Sequence, residues 1–173
     1  MNASIPFRIT ALPEASFASL FSLSDAELVQ HNAHRYRADQ KPGFPCRVSL
    51  VDAEPGERVI LLPFAYHTVN SPYQGSGPIF VREGARQAMP AIGEVPLSVR
   101  QRLLSLRAYD AAGFLIDAEV AEGRDLEAQV DHFFADARVA YLHVHNARPG
   151  CYSCRIDRAR HLVRCERLRP PPE

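Results

Sequence analysis

Apolar and polar positions alternate most regularly over residues 104–120. Leu104, Leu106 and Ala108 fall on one face of a strand, and Phe114, Ile116, Ala118 and Val120 on one face of the next. This period of two marks half-buried strands. Matching the two apolar faces requires Leu106 to oppose Ala118. The loop is then Ala111-Ala112-Gly113, with glycine where a left-handed backbone is needed. In that register Arg107 stands across from Asp117.

A helical period replaces the alternation over 125–135. Leu126, Val130, Phe133 and Phe134 share one stripe, and Asp125 and Glu127 suit the first turn. Ser24-Asp25-Ala26-Glu27 is a capping box that opens a helix running to about Gln30. Residues 7–9, 46–50, 58–64, 79–82, 139–145, 151–156 and 162–168 read as short strands. Pro42-Gly43-Phe44-Pro45 and Glu54-Pro55-Gly56-Glu57 are turns, and 70–78 is a loop. Tyr73-Gln74-Gly75-Ser76-Gly77-Pro78 lacks the Lys-Ser/Thr of a phosphate-binding loop and reads as a plain turn. No repeat or low-complexity segment interrupts the chain. Many short strands with two or three helices predict an α+β fold with a mainly antiparallel sheet, not repeated βαβ units. Residues 1–168 are expected to form a single globular domain, and 169–173 a Pro-rich disordered tail.

Composition narrows the class. The chain has 173 residues, 46% hydrophobic and 23% charged, which excludes wholesale disorder. At this length about 70% of the unfolded surface can be buried, so one core forms without disulfides. No apolar run reaches the length of a membrane-spanning helix. Met1 to Arg8 lack the basic-then-apolar plan of a secretory signal, so a cytoplasmic location is expected, with Cys46, Cys151, Cys154 and Cys165 as thiols. The net charge of zero argues against a generally basic nucleic-acid binder. It also conceals an asymmetry: residues 1–147 carry net −4 and residues 148–173 net +4. The basic set is 19 Arg and Lys41. Codon bias produces such a set, so an arginine is informative only where its position adds something. Arg155, Arg158, Arg160, Arg164, Arg167 and Arg169 lack interleaved aromatics and read as a solvated, ion-paired sheet face.

Candidate chemistry gathers in residues 141–155. His143 and His145, two apart on a strand, point the same way with Cα atoms about 7 Å apart. Cys151 and Cys154 follow, and His and Cys are the ligands zinc prefers. Turn length decides what joins the histidines. A two-residue turn, Pro149-Gly150, sets His145 opposite Cys154. A three-residue turn, Arg148-Pro149-Gly150, sets His145 opposite Ser153 and brings Cys151 and Arg155 to the histidine face. A regular hairpin cannot aim all four zinc candidates at once. Without metal, a thiol beside His and Arg is a stronger nucleophile, and Asn146 can orient it or bind an oxyanion. Arg155 with His145 can instead hold a carboxylate or phosphate. The bland alternative makes His143 and His145 buried strand residues bonded to neighbours, and the cysteines core fillers. Arg47 and Arg82 sit where they could line a pocket or end a solvated strand.

Several blocks resemble the signature of one bacterial family. They are Cys46-Arg47-Val48-Ser49-Leu50 with Asp52-Ala53 and Pro55-Gly56-Glu57, Ser71-Pro72-Tyr73, Gly77-Pro78-Ile79-Phe80-Val81-Arg82, Leu106-Arg107-Ala108-Tyr109, and His143-Val144-His145-Asn146-Ala147 with Gly150-Cys151 and Arg155. The family is domain of unknown function 1203, and the resemblance runs from about Phe7 to Ala159. It implies a small single-domain bacterial protein and no particular activity. Its recurring blocks point to Cys46, Arg47, Arg82, Arg107, His143, His145, Asn146, Cys151 and Arg155. The pattern has no clear counterpart of Cys154, which weighs against the four-ligand zinc set and favours the three-residue turn.

The expectation is therefore a cytoplasmic, enzyme-like domain with a Cys/His/Arg pocket for an anionic small molecule. Cys151 would be the nucleophile, His143 or His145 the base, Asn146 the orienting amide and Arg155 the anion anchor. Arg47, Arg82 and Arg107 would complete the binding set. No cofactor is expected in this reading. The alternative is a non-catalytic binding or interaction module, with zinc on His143, His145, Cys151 and Cys154 as one version. Neither nucleic acid nor membrane is an expected partner, and the sequence leaves the oligomeric state open.

Overall fold

The period-two segments assemble into two antiparallel sheets in a computed structural model that describes residues 4–159. The first sheet contains β1 (Phe7–Thr10), β5 (Leu103–Tyr109), β6 (Leu115–Glu122), β7 (Tyr141–Asn146) and β8 (Tyr152–Arg158), in the order β1-β8-β7-β5-β6. The second contains β2 (His34–Arg37), β3 (Arg58–His67) and β4 (Gly75–Arg82), with β3 central. The helices are α1 (Asp25–Gln30), α2 (Leu97–Arg100) and α3 (Leu126–Ala135). This is an α+β fold dominated by sheet.

The stripe on α3 explains the main core. Leu126, Val130, Phe133 and Phe134 are buried against Leu104, Leu106 and Ala108 of β5, Leu142 and Val144 of β7, and Ile156 of β8. One face of the first sheet is thereby committed to aliphatic packing. Its other face carries Tyr141, His143 and His145 of β7, whose rings contact Tyr66 and His67 at the end of β3. The capping box forms as its sequence predicts: the Ser24 hydroxyl accepts from the Glu27 amide, and Glu27 accepts from the Ser24 amide. Leu28 of α1 packs with Ala33 and Ile60.

Three local expectations are corrected. Residues 46–50 are not a strand. Cys46 makes a single bridge to Phe80, and the chain then turns, with the Leu50 amide donating to the Cys46 carbonyl and φ of Leu50 at +51°. The apolar residues here serve separate clusters, Val48 one beneath β4 and Leu50 the main core, so no common strand face exists. Residues 70–78 are only partly loop, because β4 begins at Gly75.

The β5–β6 register also differs. Leu106 opposes Glu119, Arg107 opposes Ala118 and Asp117 opposes Ala108, so the expected Arg107–Asp117 and Leu106–Ala118 pairs do not form. The loop itself is as expected, with the Asp110 amide donating to the Phe114 carbonyl and φ of Gly113 at +83°. A bulge then intervenes, with Tyr109 opposite Leu115 and Ala108 already opposite Asp117. β6 is an edge strand, where an extra residue disturbs one partner only. Phe114 and Val120, predicted to face inward, are 44% and 56% exposed. Ile116 of the predicted face does reach the main core, joined there by Ala121.

The predicted strands at 139–145 and 151–156 appear as β7 and β8. The predicted strand at 162–168, Arg160, Arg164, Arg167, Arg169, Cys165 and the predicted tail lie outside the described residues. Among the described residues no helix is long and apolar enough to cross a membrane.

Candidate functional site

The β7–β8 turn positions Cys151. The Asn146 amide donates to the Cys151 carbonyl, the Gly150 amide donates to the Asn146 carbonyl, and residues 147–150 form the loop. His143 opposes Arg155, as in the three-residue-turn alternative. A bulge between Val144 and His145 then sets Tyr152, not Ser153 or Cys154, opposite His145. The extra residue separates what the sequence seemed to unite: Cys151 lies beside Asn146 at the strand end, away from the histidine face.

A residue more than a hundred positions upstream meets it there. Arg47 is only 2% exposed. Its Nε donates to the Tyr152 carbonyl at 2.7 Å, Nη1 to the Pro45 carbonyl, and Nη2 to the Cys151 sulfur at 3.0 Å. Asn146 Nδ2 donates to the same sulfur at 3.3 Å. No carboxylate among the described residues pairs with Arg47. Burial pushes the Arg47 guanidinium below its ordinary value, and the neighbouring Cys151 acts against that push.

Arg47, Cys151 and Asn146 line a cavity of about 590 Å³, within the usual range for small-molecule sites. Pro42, Pro45 and Phe80 contribute apolar wall, and Arg102 and Arg148 contribute charge. Arg102 is held by Asp52 at 2.6 Å. Arg148 is exposed and makes no ion pair with a described carboxylate.

The histidines occupy a different environment. His143 and His145 are 1% and 0% exposed. Around His143 stand the rings of His67 at 4.8 Å, Tyr152 at 5.2 Å and Tyr109 at 5.3 Å. His145 Nδ1 lies 3.0 Å from the Gly150 carbonyl, so that nitrogen carries the proton and Nε2 is a bare acceptor. Neither His145 Nε2 nor His143 Nδ1 has a partner among the described residues. The same logic makes His67 Nδ1 a donor to the Tyr73 carbonyl at 2.7 Å, with Nε2 accepting from the Tyr141 hydroxyl at 2.8 Å. Burial first, then His67, His145, Arg155 and Arg107, pushes His143 down to about 3. Burial also dominates at His145, which lies at about 4 despite its bond to Gly150. Both rings are neutral at pH 7.

Of the other predicted residues, Arg155 and Arg107 flank His143 from the neighbouring strands, and the rest disperse. Arg155 pairs with Asp157 at 2.7 Å, and its guanidinium lies 3.8 Å over the Tyr141 ring. Arg82 pairs with Glu57 at 2.8 Å. Arg107 opposes His143 from β5. Cys46 is buried and accepts from the Arg82 amide at 3.3 Å. Cys154 opposes Val144 and lies in the main core, where burial pushes its thiol up to about 12. The four zinc candidates are thus divided among a histidine face, a core face and a cavity. Among the described residues, no group of three or more His, Cys, Asp or Glu is arranged to hold a metal ion. The structure joins Cys151, Asn146 and Arg47 from the predicted set, and separately His143 and His145 with Arg107 and Arg155. The sequence reading missed Arg102 and Arg148 in the cavity and Tyr66, His67, Tyr109 and Tyr141 around the histidines. Tyr109 and Tyr141, each two residues from Arg107 or His143, carried a weak signal through strand parity.

Residues 43–158, well over half of the chain, match the model of a family described as "Protein of unknown function (DUF1203)". No curated protein and no solved structure matches.

Proposed function

The chain belongs to the DUF1203 family, whose description assigns no activity, and from the cavity we propose that the protein acts on a small anionic molecule with Cys151 as nucleophile. The observation that carries this reading is Arg47, buried, without a described carboxylate partner, and donating to a sulfur that lines a cavity. A buried cation without a counter-charge costs several kcal/mol. A thiolate at Cys151 supplies that charge, and the Asn146 amide adds a second donor. The thiolate is also the reactive form of cysteine. Attack forms a bond from sulfur to the electrophilic atom, and the displaced electron pair leaves with the departing group. The sulfur partners are Arg47 and Asn146, so His143 and His145 have no part in activating it. Arg148 at the cavity draws the anion in, with the steering that an exposed guanidinium provides.

We place this chemistry in a reducing bacterial cytoplasm. The unbridged thiols of Cys46, Cys151 and Cys154 support that placement.

Alkylation at pH 7 tests the reading, in a Cys165→Ser background with the labelled peptide identified by mass. Cys151 should react at least about tenfold faster than free cysteine. The rate ratio of iodoacetate to iodoacetamide should also exceed that of free cysteine, because the first reagent is an anion. Rates for both reagents equal to or below those of free cysteine would remove the nucleophile.

A further inference from the structure

Resting on the assignment of Cys151 as nucleophile, we infer that its electrophile is a sulfur atom: Cys151 exchanges with the disulfide of a small anionic thiol. The sulfur's surroundings select this reaction. Acyl transfer expels an amine or alkoxide that must be protonated as it leaves, which calls for a group able to trade a proton near neutral pH. The hydrogen-bond partners of Cys151 are a guanidinium and a carboxamide, and neither does so. His145 commits its N–H to the Gly150 carbonyl on the aromatic face. Glu122 lines the cavity but is not among the partners of the sulfur.

Thiol–disulfide exchange has no such need. The Cys151 thiolate forms one S–S bond, the attacked S–S bond breaks, and the departing thiol leaves with the electron pair as a thiolate. Electrons and charge balance without an added oxidant, because the disulfide is itself reduced. Arg47 and Asn146 then face a charge that moves between sulfurs, the charge their N–H groups are placed to stabilise.

Arg47 supplies an independent sign of a ligand. A guanidinium has five N–H donors, and three bonds engage it, to Tyr152, Pro45 and Cys151. The remaining donors have no partner among the described residues, although the side chain is buried and lines the cavity. They suit the acidic group of an incoming thiol compound, and Arg148 adds a second cation. The exchange product is a mixed disulfide with the small molecule. Cys46 and Cys154 are 1% and 0% exposed, the latter packed in the main core, so neither is placed to resolve it internally.

The test uses the full chain in a Cys165→Ser background at pH 7 and low salt. Glutathione disulfide, a net anion, is compared with cystamine, a dication, by intact mass and peptide mapping. Glutathione disulfide should give one adduct, on Cys151, forming at least about tenfold faster than the cystamine adduct. Added salt and Arg148→Glu should each erode that preference. Equal or faster reaction with cystamine would overturn the inference. So would no glutathione adduct on a Cys151 that iodoacetate labels rapidly, and in that case the nucleophile stands. A Cys151 inert to all three reagents would remove both.

Discussion

The two histidines on β7 make the fold sensitive to acid in a range where carboxylates scarcely contribute. In the unfolded chain each binds a proton at about pH 6.5. In the folded chain His143 does so at about 3 and His145 at about 4. Above pH 6.5 both states are neutral and the histidines contribute nothing to the pH dependence. Below it the unfolded state takes up protons that the folded state refuses, so stability falls with pH until the folded values are reached. Each histidine costs about 1.4 kcal/mol per pH unit in that interval. At pH 4.5 the pair costs roughly 5 kcal/mol, comparable with the whole stability of a marginal domain. Arg155 and Arg107 face His143, and Arg107 and Arg47 face His145, so their positive charge reinforces the burial. Asp136, held down to about 2 by Arg138, loses its contribution only below about pH 4. The window from 7 to 4.5 therefore isolates the histidines. Urea unfolding followed by far-UV circular dichroism should give a steep loss in the native protein. In His143→Gln/His145→Asn the loss should be much shallower, the asparagine retaining a donor for Gly150. Parallel stability profiles for the two proteins would refute the reasoning.

Two further predictions address the frame around the site. A Cβ at Gly123 would lie 2.2 Å from the Val99 carbonyl oxygen and 2.8 Å from that of Arg100, so Gly123→Ala should cost about 2–3 kcal/mol by forcing backbone apart; an unchanged urea midpoint would contradict this. Ser24→Ala removes the acceptor for the Glu27 amide and should cost about 1 kcal/mol, measured the same way, with the pH 7 alkylation rate of Cys151 unaffected.

Where structure depended on neighbours along the chain, the residues predicted it well. The Ser24–Glu27 box, the α3 stripe, the inward face of β5 and the Gly113 loop are local matters, because each follows from side-chain direction in one element or from one turn. Alternation also separated the face of His143 and His145 from Val144 correctly. Alternation fails at the first inserted residue. The bulge past Tyr109 moved Asp117 away from Arg107, and the bulge before His145 set Tyr152 opposite it. A bulge exchanges one ladder hydrogen bond for packing and turn geometry contributed by distant parts of the chain, and its position is not encoded in period two. The site depends on such distant parts. Arg47 donates to a sulfur 104 positions away because residues 46–50 turn instead of extending. The histidines, adjacent to Cys151 along the chain, instead meet Tyr66 and His67 of the other sheet. Sequence patterning is a one-dimensional constraint on which side of an element a residue occupies; which elements face one another is settled by burying all their apolar faces at once, and that global balance put a buried arginine, not a histidine, against the cysteine.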